Sequence, residues 1–240
     1  TTHILNPPIP NFEGFAENEH FCLRLASRVG LPVANSAVMR FAGEVAFVTE
    51  RFDRVLFNGE LIRVHTEDFC QALAVHPERK YQNMGGPGPR EIFGVLVEES
   101  SRPQEDCATF FDALAFNYLI GGTDAHAKNY SLLRGPQQAR LAPLYDIASA
   151  FPYYDTKQLK LAMKVGGHYE LRNITDRDWD ALGEVAGLRV AGSARVRKLA
   201  GQIVEQLPLV TAELRGQGLT HRILERLETS IQRFAAARAA

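Results

Sequence analysis

The chain has 240 residues, of which 45% are hydrophobic and 23% charged, a composition typical of a globular protein with one large domain or two small lobes. This composition excludes an intrinsically disordered or fibrous chain. Lys and Arg number 27 against 28 Asp and Glu, so the net charge of −1 excludes a polybasic nucleic-acid binder and an acidic tail protein.

Residues 1–65 are predicted to form a small β-rich lobe with one helix. Asn18 stands where an N-cap is expected, ahead of apolar residues at helical spacing, and Gly30 with Pro32 stops the helix. The lobe is expected to be incomplete at its N-terminus, because the sequence starts at Thr1 directly with a short predicted strand that no turn or cap precedes.

Short strands follow this helix. Residues 38–41 and 45–50 predict a β-hairpin, because a turn that contains glycine separates two apolar runs. Residues 61–64 predict an edge strand after the Asn58-Gly59 turn. These elements together indicate a small sheet that is backed by the helix.

Residues 66–240 are predicted to form a second, mainly helical lobe, so the fold class is α+β. Residues 66–68 have the composition of a helix start. Residues 110–120 are apolar on most faces, which predicts a central, buried helix. The other predicted elements are a helix from Pro89, a hairpin of residues 130–133 and 140–144 with its turn at 134–137, and helices near residues 176–185, 193–207 and 220–239.

The three cysteines lack the paired spacing of a zinc site, and their odd number argues against a disulfide framework. No apolar run approaches the ~18 residues that a membrane helix needs. We therefore expect a cytoplasmic protein without a membrane partner.

The segment after the apolar helix carries the residues best suited to chemistry. Asp124 and Asn129 lie five positions apart, which is the D-x-x-x-x-N spacing of kinase catalytic loops. Phosphoryl transfer needs a carboxylate that orients or deprotonates the attacking hydroxyl, and a neutral oxygen ligand for Mg²⁺. Asp146 follows the second extended run and would add a hard anionic ligand from the far side of the hairpin. In combination, these features favour a kinase site.

Structural roles are the alternative for each of these residues taken singly. Asp124 can cap a turn, and Asn129 can satisfy backbone groups. His126 can pack its ring on the loop, or it can form a transition-metal site with the two aspartates, although no second histidine lies nearby in the sequence. Lys128 would neutralise phosphate charge, or it is a solvated surface lysine.

Seven motifs are spread in order over nearly the whole chain. They are VTERFDR at residues 48–54, EDFCQ at 67–71, KY at 80–81, GGPG at 85–88, GTDAHAKNYS at 122–131, LAPLYDIASAFP at 141–152 and LKLAM at 159–163. Together they closely resemble the HipA family of toxin serine/threonine kinases. The resemblance implies a two-lobed protein-kinase-like fold that transfers the γ-phosphate of ATP with Mg²⁺.

The resemblance also implies roles for individual residues. Asp124 would be the catalytic base, and Asn129 and Asp146 would hold the metal. The strand Glu50-Arg51-Phe52 would be the linker that faces adenine, although by composition alone Arg51 is a solvated edge charge and Phe52 a core residue. The further ATP contacts implied are His126, Ala127, Lys128, Asn129, Tyr145 and Asp146.

The family likeness implies partners as well. Such toxins phosphorylate a protein of the translation machinery, typically an aminoacyl-tRNA synthetase. They are held inactive by a helix-turn-helix antitoxin of the HipB type that is bound to operator DNA. A near-neutral kinase chain agrees with contact to DNA mainly through the antitoxin.

Two departures from the family pattern concern the phosphates of ATP. Asn6 stands where the family has a phosphate-gripping lysine, and the first lysine of the chain is Lys80. An amide cannot supply the missing charge. The phosphate-covering loop of the family also lies upstream of this region. These departures keep open a catalytically weak or inactive kinase-fold module that binds an antitoxin, and a metal-dependent phosphohydrolase is a third reading.

Overall fold

The structure, a computed structural model, describes residues 1–135 and 138–239 and has α+β architecture. The first sheet is antiparallel with strand order β1-β3-β2, formed by His3–Asn6 (β1), Ser36–Phe41 (β2) and Glu44–Glu50 (β3). Helix α1, Phe15–Arg28, packs against β2 and β3. The predicted hairpin and the helix behind it are therefore confirmed.

The predicted cap of α1 is wrong. The helix begins at Phe15 after Gly14, whose backbone is left-handed, and Asn18 lies inside the helix and is fully buried. The Asn18 side chain instead holds another segment, because its amide donates to the Ser149 carbonyl (2.8 Å) and its oxygen accepts from the Ser149 N–H (2.9 Å). A buried tertiary partner satisfies this asparagine in place of the helix end.

A second hairpin stands apart from the first sheet. Strands β4 (Arg54–Phe57) and β5 (Glu60–Arg63) pair only with each other, so the edge strand predicted at residues 61–64 exists within one residue but joins β4. Several large apolar side chains of this hairpin are exposed, including Leu56 and Phe57.

The loop that contains Asp124 and Asn129 leads into a third sheet with strand order β6-β7-β8, formed by His65–Asp68 (β6), Ser131–Arg134 (β7) and Ala139–Leu141 (β8). The prediction that residues 66–68 begin a helix is wrong, since they lie in β6 and pair with β7. Helix α2, Phe69–Ala72, begins only after Asp68, which caps it in a capping box with Gln71. Two residues of the predicted β7–β8 turn, Pro136 and Gln137, lie outside the described residues.

The remaining elements build the helical part of the fold. Helix α4 is buried along most of its length, as its apolar sequence predicts, and it packs against α3, α6 and α7. Helix α6 extends past Pro208 because Val210 and Leu214 continue its buried face. These elements are α3 (Pro89–Glu99), α4 (Pro103–Ile120), β9 (Lys160–Val165), β10 (His168–Glu170), α5 (Asp176–Val185), α6 (Gly192–Gly216) and α7 (Ile223–Ala239).

A continuous hydrophobic core runs from α1 and β3 through α4 to α6 and α7. All three cysteines, Cys22, Cys70 and Cys107, are buried in it and unpaired, as predicted. Within the described ranges, no helix has both the length and the apolar character to cross a membrane. The division into lobes at residue 65 stays a prediction.

Candidate active site

The loop after α4 is held by close packing at its start. Helix α4 ends at Gly121, which has a left-handed backbone (φ 69°). A Cβ atom at this position would lie 2.5 Å from the ring of Phe151, so glycine is required for both its conformation and its size. The loop then makes a 3₁₀ turn at Ala127–Asn129 and enters β7, so its polar side chains are presented between two rigid elements.

Asn129 and Asp146 meet across the β7–β8 hairpin. The Asn129 amide donates a short hydrogen bond to the Asp146 carboxylate, and its oxygen accepts from the His126 N–H (3.0 Å). Asp146 is one of few residues other than glycine with a positive φ (56°), a backbone conformation that is concentrated at functional sites. The surrounding protein displaces water from the Asp146 carboxylate and Asp124 lies nearby, so the pKa of Asp146 is above its ordinary value.

Asp124 is exposed and accepts a hydrogen bond from the Tyr81 hydroxyl (2.5 Å). The Tyr81 ring packs edge-on against His126, with centroids 5.0 Å apart, and the Lys80 ammonium lies 5.1 Å from the same ring. Burial and the neighbouring Asp124 raise the pKa of Tyr81 to about 12, so its hydroxyl remains a donor. Tyr81 thus orients the predicted base. Sequence reasoning had noted the Lys80-Tyr81 motif without giving it a role.

His126 and Ala127 are buried within the loop. The backbone N–H of Ala127 points to the Lys80 carbonyl (3.4 Å), and neither ring nitrogen of His126 has a hydrogen-bond partner in the described structure. Burial lowers the pKa of His126, which keeps its ring neutral. Both residues therefore sit behind the loop surface.

A cavity of about 430 Å³, within the range of small-molecule sites, lies between the first sheet and the β7–β8 hairpin. Five of the predicted nucleotide residues line it, namely Glu50, Arg51, Phe52, Tyr145 and Asp146. The rings of Phe52 and Tyr145 form one wall, with centroids 5.5 Å apart. The structure brings these residues together from segments almost 100 positions apart.

The segment from Glu50 to Arg54 is fixed by its own charges. Strand β3 ends at Glu50, so Arg51 and Phe52 lie just after the strand and not within it as expected. Asp53 accepts two hydrogen bonds from Arg51 (2.8 and 2.9 Å) and one from Arg54 (2.6 Å), and the Arg51 guanidinium holds the pKa of Asp53 below its ordinary range. Asn35 donates to the Glu50 carboxylate (2.9 Å). The Arg51 N–H donates to the Thr2 carbonyl (2.9 Å). Arg51 therefore forms a structural ion pair with Asp53 at the cavity wall and is not a solvated edge charge.

Tyr145 and Lys128 connect the loop to the hairpin. The Tyr145 hydroxyl donates to the Lys128 carbonyl (2.8 Å) and lies 2.6 Å from the Ser131 hydroxyl. The Lys128 ammonium lies 4.0 Å from the Asp68 carboxylate and is partly exposed, so it adds positive charge at the rim of the loop.

Glu19 is a cavity residue that sequence reasoning missed. It lies on α1, is 4% exposed, and lines the cavity together with Asn6 and Asp146. Burial and then the charge of Asp146 raise the pKa of Glu19 to about 8. The signal available in the sequence was a run of four polar residues, 17–20, within an otherwise amphipathic helix. The structure buries all four of them. No lysine lines this cavity among the described residues.

The donor set fits a magnesium ion that is shared with a nucleotide. Asp146 and Asn129 offer hard carboxylate and amide oxygens, and Mg²⁺ is usually held by one or two such groups together with substrate phosphates. Among residues 1–135 and 138–239 there is no group of three or more His, Cys, Asp or Glu side chains able to hold a metal by itself. The transition-metal alternative around His126 thus lacks support.

Comparisons with known proteins agree on one family. Residues 1–210 match the model of the HipA-like C-terminal domain. The chain is 41% identical over 206 residues to "Putative kinase Y4mE" of Sinorhizobium fredii, covering 85% of this chain and 48% of the relative. It is 30% identical over 231 residues to "Serine/threonine-protein kinase toxin HipA" of Shewanella oneidensis, covering 89% and 52%. The chain therefore spans about half the length of these relatives.

Solved structures share the fold. The Shewanella oneidensis toxin–antitoxin complex of HipA, HipB and operator DNA contains a chain that matches all of this chain and 58% of its own length, with a TM-score of 0.79 and 24% identity. The Helicobacter pylori proinflammatory kinase CtkA matches 99% of this chain and 87% of its own length, with a TM-score of 0.66 and 13% identity. The predicted α+β kinase-like fold is confirmed.

Proposed function

The chain belongs to the HipA-like C-terminal domain family, and on that premise we propose that it is the core of a Mg²⁺- and ATP-dependent serine/threonine protein kinase. The observation that carries the proposal is the contact between Asn129 and Asp146, made across the hairpin with Asp146 in a left-handed backbone. Residues 1–65 would form the nucleotide lobe and residues 66–240 the lobe that carries the catalytic loop.

The chemistry assigns one role to each carboxylate. Asp124 is exposed and oriented by Tyr81, so it can accept the proton of a serine or threonine hydroxyl. The hydroxyl oxygen bonds to the γ-phosphorus, the bond from that phosphorus to the β–γ bridging oxygen breaks, and ADP leaves with the electron pair. Asp146 and Asn129 would hold Mg²⁺, which neutralises charge on the phosphates.

The nucleotide would occupy the 430 Å³ cavity. Phe52 and Tyr145 give it an apolar wall suited to a base, and the end of β3 offers backbone groups at its edge. Asp146 lines the same cavity, so the phosphates would lie at the end of the cavity where Asp146 can hold Mg²⁺. His126, Ala127 and Lys128 would act there chiefly by shaping this loop, whereas Asn129 would hold Mg²⁺ together with Asp146.

The proposed substrate is a protein of the translation machinery such as an aminoacyl-tRNA synthetase. The proposed partner is a HipB-like helix-turn-helix antitoxin that carries most of the contact with operator DNA. Support comes from the similar Shewanella structure, which is a complex of HipA, HipB and operator DNA, and from the net charge of −1 of this chain.

Transfer of labelled γ-phosphate from Mg·ATP to protein tests the proposal. The acceptors are the chain itself and purified bacterial aminoacyl-tRNA synthetases and translation factors. Asp124→Asn should lower kcat by about 10²–10⁴-fold, because the amide cannot take the proton. Asp176→Asn, which alters an exposed carboxylate on α5, is the matched control and should retain the rate. Free phosphate without labelled protein would instead favour a phosphohydrolase.

A kinase-fold binding module is the second candidate, and Asn6 favours it. Asn6 lines the cavity beside the buried Glu19, where protein kinases place a lysine–glutamate ion pair. Asn6→Lys should raise the transfer rate if the chain is a weak kinase, because the ammonium would pair with Glu19 and contact phosphate. No transfer by either the wild type or Asn6→Lys would favour the binding module.

A further inference from the structure

A second cavity shares Asp146 with the first. It has a volume of about 360 Å³ and is enclosed by the segment before α1, the start of the catalytic loop and the segment after Asp146. Asp124 lines this cavity and not the nucleotide cavity, whereas Asp146 lines both. The predicted base therefore opens into a space that is separate from the one proposed for ATP.

The wall of this second cavity is aromatic and preorganised. The Phe12 ring is its centre, with centroid distances of 6.0 Å to Phe15, 5.1 Å to Tyr153 and 6.3 Å to Tyr154. The Tyr153 hydroxyl donates to the Glu13 carbonyl (3.2 Å), which fixes its ring. Tyr154 is 55% exposed, so apolar surface stays open beside a charged carboxylate. Such a fixed wall binds an apolar group at low entropic cost.

The lining of the cavity favours an apolar group over a phosphate as its occupant. Its carboxylates are Asp124 and Asp146, and no Lys, Arg or His lines it among the described residues. Away from Asp146, a phosphate here would find no basic side chain to offset its charge. In phosphoryl transfer the attacking and leaving oxygens lie roughly in line, so the acceptor must approach from the side opposite the nucleotide. Asp146 lines both cavities and Asp124 lines only the second, so a hydroxyl bound in the second cavity would meet the base from outside the nucleotide cavity.

We propose that this cavity is an acceptor-specificity pocket, which takes a bulky aromatic or aliphatic side chain within two residues of the phosphorylated serine or threonine. The inference rests on the proposed kinase function and adds the class of acceptor sequence. The distance in sequence follows from geometry, because the pocket borders Asp124 and an extended peptide advances about 3.3–3.6 Å per residue. The hydroxyl would meet Asp124 while the neighbouring side chain packs against Phe12.

Synthetic peptides with one serine are the probe. Each flanking position within two residues is varied in turn among Phe, Leu, Ala, Lys and Glu, and kcat/KM is measured at saturating Mg·ATP. Phe or Leu at one position should raise kcat/KM about tenfold or more over Ala, as expected for burial of a large apolar side chain. Glu should be the poorest residue there, because two carboxylates stand at the mouth of the pocket.

Substitutions in the aromatic wall distinguish a loss of peptide binding in this pocket from a general loss of activity. Phe12→Ala should raise KM for the Phe peptide to that of the Ala peptide, with kcat and the Kd of Mg·ATP unchanged, and Phe12→Leu should restore much of the preference. Phe57→Ala removes an exposed ring on β4 outside this cavity and should change nothing. Tyr154→Ser is a second wall variant at a largely exposed position, in case Phe12→Ala destabilises the fold.

Each outcome is decisive for one of the two proposals. Peptides phosphorylated equally whatever their flanking residues would overturn the pocket and leave the kinase function standing. A chain that binds Mg·ATP yet phosphorylates none of the peptides also contradicts the pocket. A chain that binds no Mg·ATP would overturn the proposed function itself, and the pocket with it.

Discussion

At the scale of single residues, the candidate site combines features that a purely structural loop does not need. Asp146 adopts a left-handed backbone, Glu19 is a buried acid with its pKa raised to about 8, and Asp124 is an exposed carboxylate that a tyrosine orients. Conformations and charges of this kind cost stability unless the surrounding fold supports them. Their concentration around one cleft therefore indicates function.

Tyr81 is expected to act as a positioning residue for Asp124. Tyr81→Phe removes the 2.5 Å hydrogen bond to the carboxylate and leaves the ring packed on His126. A hydrogen bond to a charged group contributes about 1.5–3 kcal/mol, so kcat should fall about tenfold or more while KM for ATP stays constant. Steady-state kinetics checks this split. Tyr169→Phe, on β10, is the control, and an unchanged kcat in Tyr81→Phe would refute the positioning role.

His20 should make stability sensitive to acid. It is buried against Ser36, and burial, followed by the charge of Arg24, lowers its pKa from 6.5 to about 4, whereas Glu213 acts in the opposite direction. Between these pH values the unfolded state binds more protons than the folded state, so the free energy of unfolding should fall as the pH drops from 6.5 toward 4.

The comparison of wild type with His20→Gln isolates this effect. Urea unfolding in steps from pH 7 to pH 4 should show a shallower pH dependence for the variant, by at most about 1.4 kcal/mol per pH unit. His168→Gln, at an exposed position, should follow the wild type. Parallel curves for wild type and His20→Gln would show that His20 does not titrate differently on folding.

At the scale of elements, alanine substitutions at two glycines, one after α4 and one inside α3, should change the free energy of unfolding in opposite directions. Gly121→Ala should destabilise the fold by about 2 kcal/mol or more, because alanine must adopt a positive φ and its Cβ would meet Phe151. Gly94→Ala should stabilise by about 0.5–1 kcal/mol, since Gly94 is exposed inside α3 with nothing near its added Cβ. Chemical denaturation measures both, and equal effects would contradict this reading of the α4 end.

Elements with a strong local pattern could be predicted from the sequence. The apolar run of α4 and the turn between β2 and β3 determine their structure locally, and both predictions hold. Residues 66–68 have the composition of a helix start, and Asp68 does cap α2, which follows them. Their strand pairing was missed because the partner strand β7 lies about 65 residues away, as in Glu67↔Leu132.

The contact within the candidate site could be expected from the sequence, but its surroundings could not. Asn129 and Asp146 flank one predicted hairpin, and that hairpin does bring them into contact. Tyr81 and Glu19 reach the cleft through tertiary packing, across 43 positions in the case of Tyr81 and Asp124, and no local pattern encodes such contacts. Asn18 shows the same limit, since its partner Ser149 lies 131 positions away.

At the scale of the whole molecule, two cavities of similar size meet at Asp146 above a continuous core. One has an aromatic wall and residues 49–53, and the other has an aromatic wall and the exposed Asp124. Transfer between two substrates requires two binding places with one shared group where the reacting atoms meet. In the function that we propose, the first cavity would hold the nucleotide and the second the acceptor.

Isothermal titration calorimetry with Mg·ATP tests this arrangement most directly. The wild type should bind ATP in a Mg²⁺-dependent manner, and Asp146→Asn, which keeps the size of the side chain and tolerates the left-handed backbone, should bind at least about tenfold more weakly. Asp176→Asn should match the wild type. A wild type that binds no ATP at saturating Mg²⁺, or an Asp146→Asn variant with wild-type affinity, would contradict the proposed site.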